Sequence, residues 1–322
     1  MSSTTPRRVV ITEPRHYAPA ARAILAEIGV VVEGPFDRHE LLEAVADAHL
    51  LVVRLGHEID EAVITAARNL EYIGSPTTGT DHIDLSAAGA RGIQVVTLRG
   101  EVEFLSTIRA TPEHTWGLLL ALARKLPAAA VASLHSPWDR DAFRGTELAG
   151  KRLGIFGLGR VGRIVATYGA AFQMPTFAYD TAPVSAPGVT MVASLSELLA
   201  RSDVLLVHVP LDDTTRHALG AAELARLPNG ALIVNTARGA IIEEEALVDA
   251  LRAGRLAGAA VDVLEGERGP DLVSTSPLLR FASEHPDRAI VTPHIAGATW
   301  ESMHRTEVFL AERLRGLVST GT

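Results

Sequence analysis

The chain has 322 residues, 47% of them apolar, which is enough to bury two separate cores. Its formal net charge of -8 excludes the basic surface that nucleic acids require. The absence of cysteine excludes disulfides, thiol catalysis and cysteine-ligated zinc.

The opening residues 1–8 lead straight into a strand-like Val9-Val10-Ile11, with no long apolar segment ahead of it. Short β-branched runs at 9–11, 30–32, 50–53, 72–73 and 95–96 alternate with helical patterns at 19–28, 41–48 and 61–68. Parallel strands joined by crossover helices produce that alternation. Residues 113–126 read as one long amphipathic helix bridging two halves, and Pro127 with the Ser136-Pro137 pair marks a loop. The apolar run Leu118-Leu119-Leu120 is cut by Arg124 and Lys125 too soon to span a bilayer. Trp116 is expected in the helix core, and Trp138 with Phe143 as anchors of the following loop.

The second half repeats the plan, with strands at 153–156, 176–179, 204–207, 231–234, 259–261 and 290–291. Its helices begin near Val161, Leu195, Ala222 and Glu244. A final helix over about 300–317 is expected to return to the first domain, with no regulatory domain after it. The expected fold class is α/β, with two doubly wound parallel-sheet lobes: residues 105–295 inserted between 1–104 and 296–322. A cleft between such lobes is where small ligands usually bind. A cytoplasmic protein with no membrane partner and no nucleic-acid partner is expected, and no triad of side chains has metal-ligand spacing.

One motif carries chemistry by itself. Leu153-Gly154-Ile155-Phe156 runs into Gly157, Gly159 and Gly162, a helix follows, and the next strand ends in Asp180. Gly157 permits the tight turn, Gly159 lets backbone approach a pyrophosphate, and Gly162 lets helix and strand pack closely. The phosphates would sit on unpaired N–H groups at a helix N-terminus. Asp180 suits the two ribose hydroxyls and repels a 2′-phosphate, while Thr181-Ala182-Pro183 supplies no arginine for one, so NAD is favoured over NADP.

Three later segments follow apolar strands and should face one crevice beyond the carboxyl ends: 235–239 with Arg238, 261–267 with Asp262 and Glu267, and 292–297 with His294. Arg238 offers a planar cationic fork for a carboxylate and polarises a neighbouring carbonyl. His294 can exchange a proton with a carbonyl oxygen as hydride arrives or leaves. A carboxylate beside it would favour the imidazolium.

With these segments the chain resembles the D-isomer-specific 2-hydroxyacid dehydrogenases. Further carriers are Gly79-Thr80-Asp81-His82-Ile83-Asp84, Glu113-His114-Thr115, Glu147-Leu148-Ala149-Gly150-Lys151 and His208-Val209-Pro210-Leu211. The resemblance implies a Rossmann NAD-binding domain inserted into a flavodoxin-like substrate (lid) domain, and a homodimer built around the bridging helix. It implies interconversion of a small 2-oxo acid and its D-2-hydroxy acid, with Arg238, Glu267 and His294 as the catalytic set. Arg160, Val161 and Thr111 would meet the cofactor phosphates, and His208, Val209, Pro210 and Thr215 the adenine side. Thr236 and Ala237 would sit by the nicotinamide ribose, and Asp262 would hold the carboxamide. Backbone amides of Leu55 and Gly56, with the Thr78-Gly79 turn, would contact the substrate carboxylate.

The sequence departs from the family in places. Arg268, not proline, follows Glu267, which leaves Glu265 as a substitute, and the longer segment 271–287 adds His285 as a competitor for His294. Residues 98–108 are unusual, and the second basic residue of phosphoglycerate-specific relatives is replaced by Gly56, with Arg54, His57 and Arg99 as the remaining cations nearby. Two alternatives stay open: a non-catalytic NAD-sensing protein like the corepressors of this fold, and a dehydrogenase of phosphite or a phosphonate.

Overall fold

Every strand pairing is parallel in the computed structural model, which describes residues 6–135 and 138–320. The loop expected at Ser136-Pro137 lies outside the described residues. The chain divides into two units, 1–107 with 298–322, and 108–297, where the sequence placed the boundaries at 104/105 and 295/296.

The first unit holds β1 (Arg8–Ile11), β2 (Val30–Glu33), β3 (Leu50–Val52), β4 (Tyr72–Gly74) and β5 (Gln94–Val96), in the order β2-β1-β3-β4-β5. Alternation along the strands divides the core in two. Val9, Ile11, Leu50 and Val52 pack with Leu25, Leu310 and Leu314 from the helices Pro19–Ile28 and Trp300–Thr320. Val10 and Leu51 point to the other face and meet Leu41, Val45, Val63 and Ile64. The helix expected at 41–48 instead spans Arg38–Val45, because Asp37 and Glu40 form a capping box at its start. Residues 98–108 include the helix Val102–Ser106, where Phe104 stacks on Phe309 at 4.0 Å and Arg313 donates to Glu101 at 2.6 Å. The unusual segment is therefore tied to the C-terminal helix.

The second unit holds β6 (Leu153–Phe156), β7 (Thr176–Tyr179), β8 (Val189–Met191), β9 (Val204–Val207), β10 (Ala231–Asn235), β11 (Leu256–Val261) and β12 (Ala289–Val291), in the order β12-β11-β10-β9-β6-β7-β8. β6, β9 and β10 are buried along their whole length, as strands covered on both faces must be. The sequence pattern missed β8, a short, half-exposed edge strand without a continuous apolar run.

The bridging segment also differs. Its helix runs Ala110–Ala123 and is buried at Pro112, Thr115, Trp116, Leu118, Leu119 and Leu122, so it is a core helix, not an amphipathic one. Lys125 then takes a left-handed conformation (φ 53°), and a second helix, Leu126–Ala132, begins with Pro127 in its first turn. Proline starts that helix instead of marking a loop, since the first turn needs no N–H donor there. Trp116 meets Tyr168 and Phe172 edge-on inside the unit, whereas of the two expected loop anchors Trp138 is 94% exposed and Phe143 half-buried. Segment 271–287 contains the helix Pro277–Glu284, capped by Ser276, whose Leu278 and Phe281 are buried. Among the described residues no single helix is long and apolar enough to cross a membrane.

Leu314 is fully buried under the first-unit sheet. Leu314→Ala is expected to cost about 2–5 kcal/mol, lowering that unit's calorimetric transition while the second unit's is unmoved. A shared shift of both transitions would contradict the division into two units.

Candidate active site

The second sheet reverses its build direction between β6 and β9, the switch point at which α/β sheets bind ligands beyond their strand ends. Gly157 closes β6 with φ 97°, and a Cβ there would lie 2.8 Å from the His208 backbone. A Cβ on Gly162 would lie 2.2 Å from the Gly157 carbonyl oxygen, while Gly159 has open space around it. These contacts bring the loops after β6 and β9 together and leave room above Gly159. The helix Arg160–Ala171 starts there with no side-chain cap, so its first-turn amides, including those of Arg160, Val161 and Gly162, are suited to a phosphate.

Asp180 stands at the end of β7. It accepts from the Leu158 amide at 2.8 Å and the Ala182 amide at 2.9 Å, which fixes the acid against the glycine loop. The His208 Nε2 atom is buried without a hydrogen-bond partner among the described residues. Burial, and then the nearby Arg160 charge, push its pKa down to about 3, so the imidazole is neutral. Thr215 donates to the Pro210 carbonyl at 2.7 Å and closes the turn that follows Val209. Thr111 accepts from Thr115 at 2.9 Å, and Thr115 shares a 2.7 Å hydrogen bond with Thr236, beside Ala237. The residues present therefore fit a dinucleotide: a bare helix N-terminus, a fixed acid and an uncharged wall.

Arg238, Glu267 and His294 lie beyond the ends of β10, β11 and β12, which are neighbours in level register. A Cβ on Gly239 would lie 2.0 Å from the Leu264 backbone, so the loop bearing Arg238 lies against the one bearing Glu267. Arg238 is half-buried, and its Nη1 donates to the Ala237 carbonyl at 2.7 Å. His294 Nδ1 lies 2.5 Å from Glu267 Oε1, and the other Glu267 oxygen accepts from the Leu264 amide at 3.2 Å. The substitute carboxylate is occupied elsewhere, because Glu265 binds Arg216 at 2.8 Å and His217 at 2.7 Å. His285 lies against Phe281 at 4.6 Å, at the end of its own helix.

Asp262 is bonded within the protein. Its side chain is fully buried, and its carboxylate accepts from Thr292 Oγ1 at 2.5 Å, the Ile295 amide at 2.9 Å and the Ala296 amide at 2.7 Å. His114 Nε2 lies 3.3 Å from the same carboxylate. As folded here its carboxylate holds the loop that carries His294. His294 has φ 54°, a conformation that costs a side-chain-bearing residue energy and that these bonds hold in place. Sequence reasoning missed this hub, including His114, since its partners lie up to 148 residues away (262 − 114).

The predicted contacts of the first unit follow β3 and β4. Leu55 is half-buried, Thr78 is exposed, and the Gly79 carbonyl accepts from Thr77 at 2.8 Å. The Gly56 amide, expected to meet a substrate carboxylate, donates instead to Glu13 at 2.5 Å. His82 is buried, with its Nε2 3.3 Å from Ser75 Oγ, and Asp84 caps the helix Leu85–Ala90, so both serve the turn.

Residues 116–296 match the family described as D-isomer specific 2-hydroxyacid dehydrogenase, NAD binding domain. The D-3-phosphoglycerate dehydrogenase of Methanocaldococcus jannaschii is 38% identical over 96% of this chain and 57% of its own length. This chain thus spans a little over half of that relative. The hydroxypyruvate reductase of Thermotoga maritima is 34% identical over 86% of this chain and 87% of its own. Among solved structures, the TT0316 protein from Thermus thermophilus has a TM-score of 0.84 and 35% identity, covering 98% of this chain and 97% of that one. D-Lactate dehydrogenase from Aquifex aeolicus, complexed with NAD and lactic acid, has a TM-score of 0.84 and 26% identity, covering 98% and 96%. The glycine loop and the matched residues agree: this chain belongs to the D-isomer-specific 2-hydroxyacid dehydrogenase family, and its second unit is that family's NAD-binding domain.

Proposed function

We propose that the protein interconverts a small 2-oxo acid and its D-2-hydroxy acid. The observation that carries this reading is the His294–Glu267 contact at 2.5 Å, on the same sheet edge as the glycine loop. NAD, when bound, supplies the hydride for C2 of the oxo acid or accepts it from the hydroxy acid. Arg238 grips the acid's carboxylate and draws electron density from the adjacent carbonyl. His294 uses Nδ1 toward Glu267, which leaves Nε2 to give a proton to the carbonyl oxygen in reduction and recover it in oxidation. Glu267 orients the ring and stabilises the imidazolium.

The substrate we favour carries no second anion. Gly56 offers no side chain, and the Arg54 guanidinium is already bonded to the buried Glu307 carboxylate and to the Arg15 carbonyl. A homodimer is part of the same proposal. Leu126, Val131 and Leu134 are 52%, 62% and 76% exposed in one short stretch, an apolar surface that a second copy of the chain would cover.

His294→Ala is expected to lower kcat by about 10²–10⁴-fold with NADH affinity nearly intact; unchanged turnover with any accepted acid would refute the proton-transfer role. Asp180→Ala should raise kcat/KM for NADPH relative to NADH by about tenfold or more, since the acid no longer repels a 2′-phosphate. An unaltered cofactor ratio would mean that another group reads the ribose. Leu134→Glu should shift the protein from dimer to monomer in light scattering, and a wild type already monomeric at micromolar concentration would remove the dimer.

A further inference from the structure

The helix Ala110–Ala123 packs across β10, β11 and β12, and all four elements belong to the second unit. Consecutive residues on a helix point about 100° apart, so His114 and Thr115 reach different strand ends. His114 Nε2 lies 3.3 Å from Asp262 Oδ1, beyond β11, and 3.2 Å from Thr292 Oγ1, beyond β12. Thr115 is fully buried and shares its 2.7 Å bond with Thr236, beyond β10. One turn of helix thus grips the loops that follow three adjacent strands.

A count of protons fixes the direction of each bond. The Thr115 hydroxyl has a single proton and gives it to the Thr111 carbonyl at 2.9 Å, so Thr236 is the donor in the 2.7 Å bond. The Thr292 hydroxyl gives its proton to Asp262 at 2.5 Å, so it can only accept from His114. His114 therefore carries a proton on Nε2, shared between the threonine oxygen and the buried carboxylate. The other donors to that carboxylate all come from the 292–296 loop itself, so His114 is what ties the loop to the helix. Each gripped threonine stands two residues before a side chain that the functional reading uses: Thr236 before Arg238, and Thr292 before His294.

We propose that His114 and Thr115 are positioning residues, which together set the separation of Arg238 from His294 by tying both loops to one rigid helix. The inference rests on the functional reading above. It goes further by naming the residues that hold the carboxylate-binding group and the proton-transfer group at a fixed spacing.

The test is a set of single variants read by hydrogen exchange and by NADH-dependent reduction of hydroxypyruvate. His114→Leu removes the donor, and Thr115→Val removes the hydroxyl at constant shape. H114L should speed exchange at the Ile295 and Ala296 amides by about tenfold or more and leave Ala237 unmoved, while T115V should do the reverse. Both should lower kcat by about tenfold or more with KM little changed. His114→Gln and Thr115→Ser keep the hydrogen-bonding group and should recover most of the loss. Exchange that rises evenly over the whole unit would mean that the two residues serve general stability, and would overturn the proposal. No recovery in H114Q and T115S would overturn it too, since packing and not the bond would then matter. Should H114L or T115V not fold, Thr292→Val and Thr236→Val cut the same bonds from the loop side, and the same division of exchange is expected. A wild type that reduces no 2-oxo acid would sink the functional reading and this inference with it. An active wild type with loop exchange unchanged in both variants would overturn this inference alone.

Discussion

The Asp262 carboxylate is the interaction on which the rest of the candidate site depends. A fully buried charge is costly unless its lone pairs are satisfied, and this one collects a threonine hydroxyl and two backbone amides, with a histidine ring edge close by. Those donors come from two places. The loop after β12 supplies three, and the helix Ala110–Ala123 brings His114. One carboxylate therefore holds the 292–296 loop in the shape that gives His294 its left-handed backbone. Under the proposed function, that hold would orient the ring for proton transfer without reorganisation cost.

The cofactor end obeys a steric constraint of the same kind. Gly157 lies where a side chain would strike the His208 backbone, and Gly162 where one would strike the Gly157 carbonyl. Removing those side chains lets three backbone segments meet at one point, and a bare helix start opens there. Gly239 repeats the device on the other side of the sheet, against Leu264 and Glu265. Hydride chemistry needs its groups placed to a fraction of an ångström, and close backbone contact is stiffer than contact between flexible side chains.

The legible and illegible parts of the site divide by distance along the chain. The glycine loop and Asp180 lie within one βαβ unit, so spacing alone announces them. Arg238, Glu267 and His294 were readable as polar groups at the ends of apolar strands. Spacing from Asp262 selected Glu267 and left Glu265 as a substitute, and only the folded chain adds that Glu265 is held by Arg216 and His217. The helix break at Lys125 was equally hidden, since proline after an apolar run reads as an end and not as a start.

The sequence by itself determined the two α/β halves, the parallel pairing and the dinucleotide motif, because periodicity and glycine spacing are local properties that survive any packing. Tertiary structure decided what the long-range carboxylates do. Asp262 turned out to be a loop anchor, Glu13 a cap on the amides around Leu55, and Glu307 the partner of Arg54. A carboxylate's role is set by whichever donors the fold brings within about 3 Å of it, and those donors are scattered along the chain in no pattern a linear reading can follow.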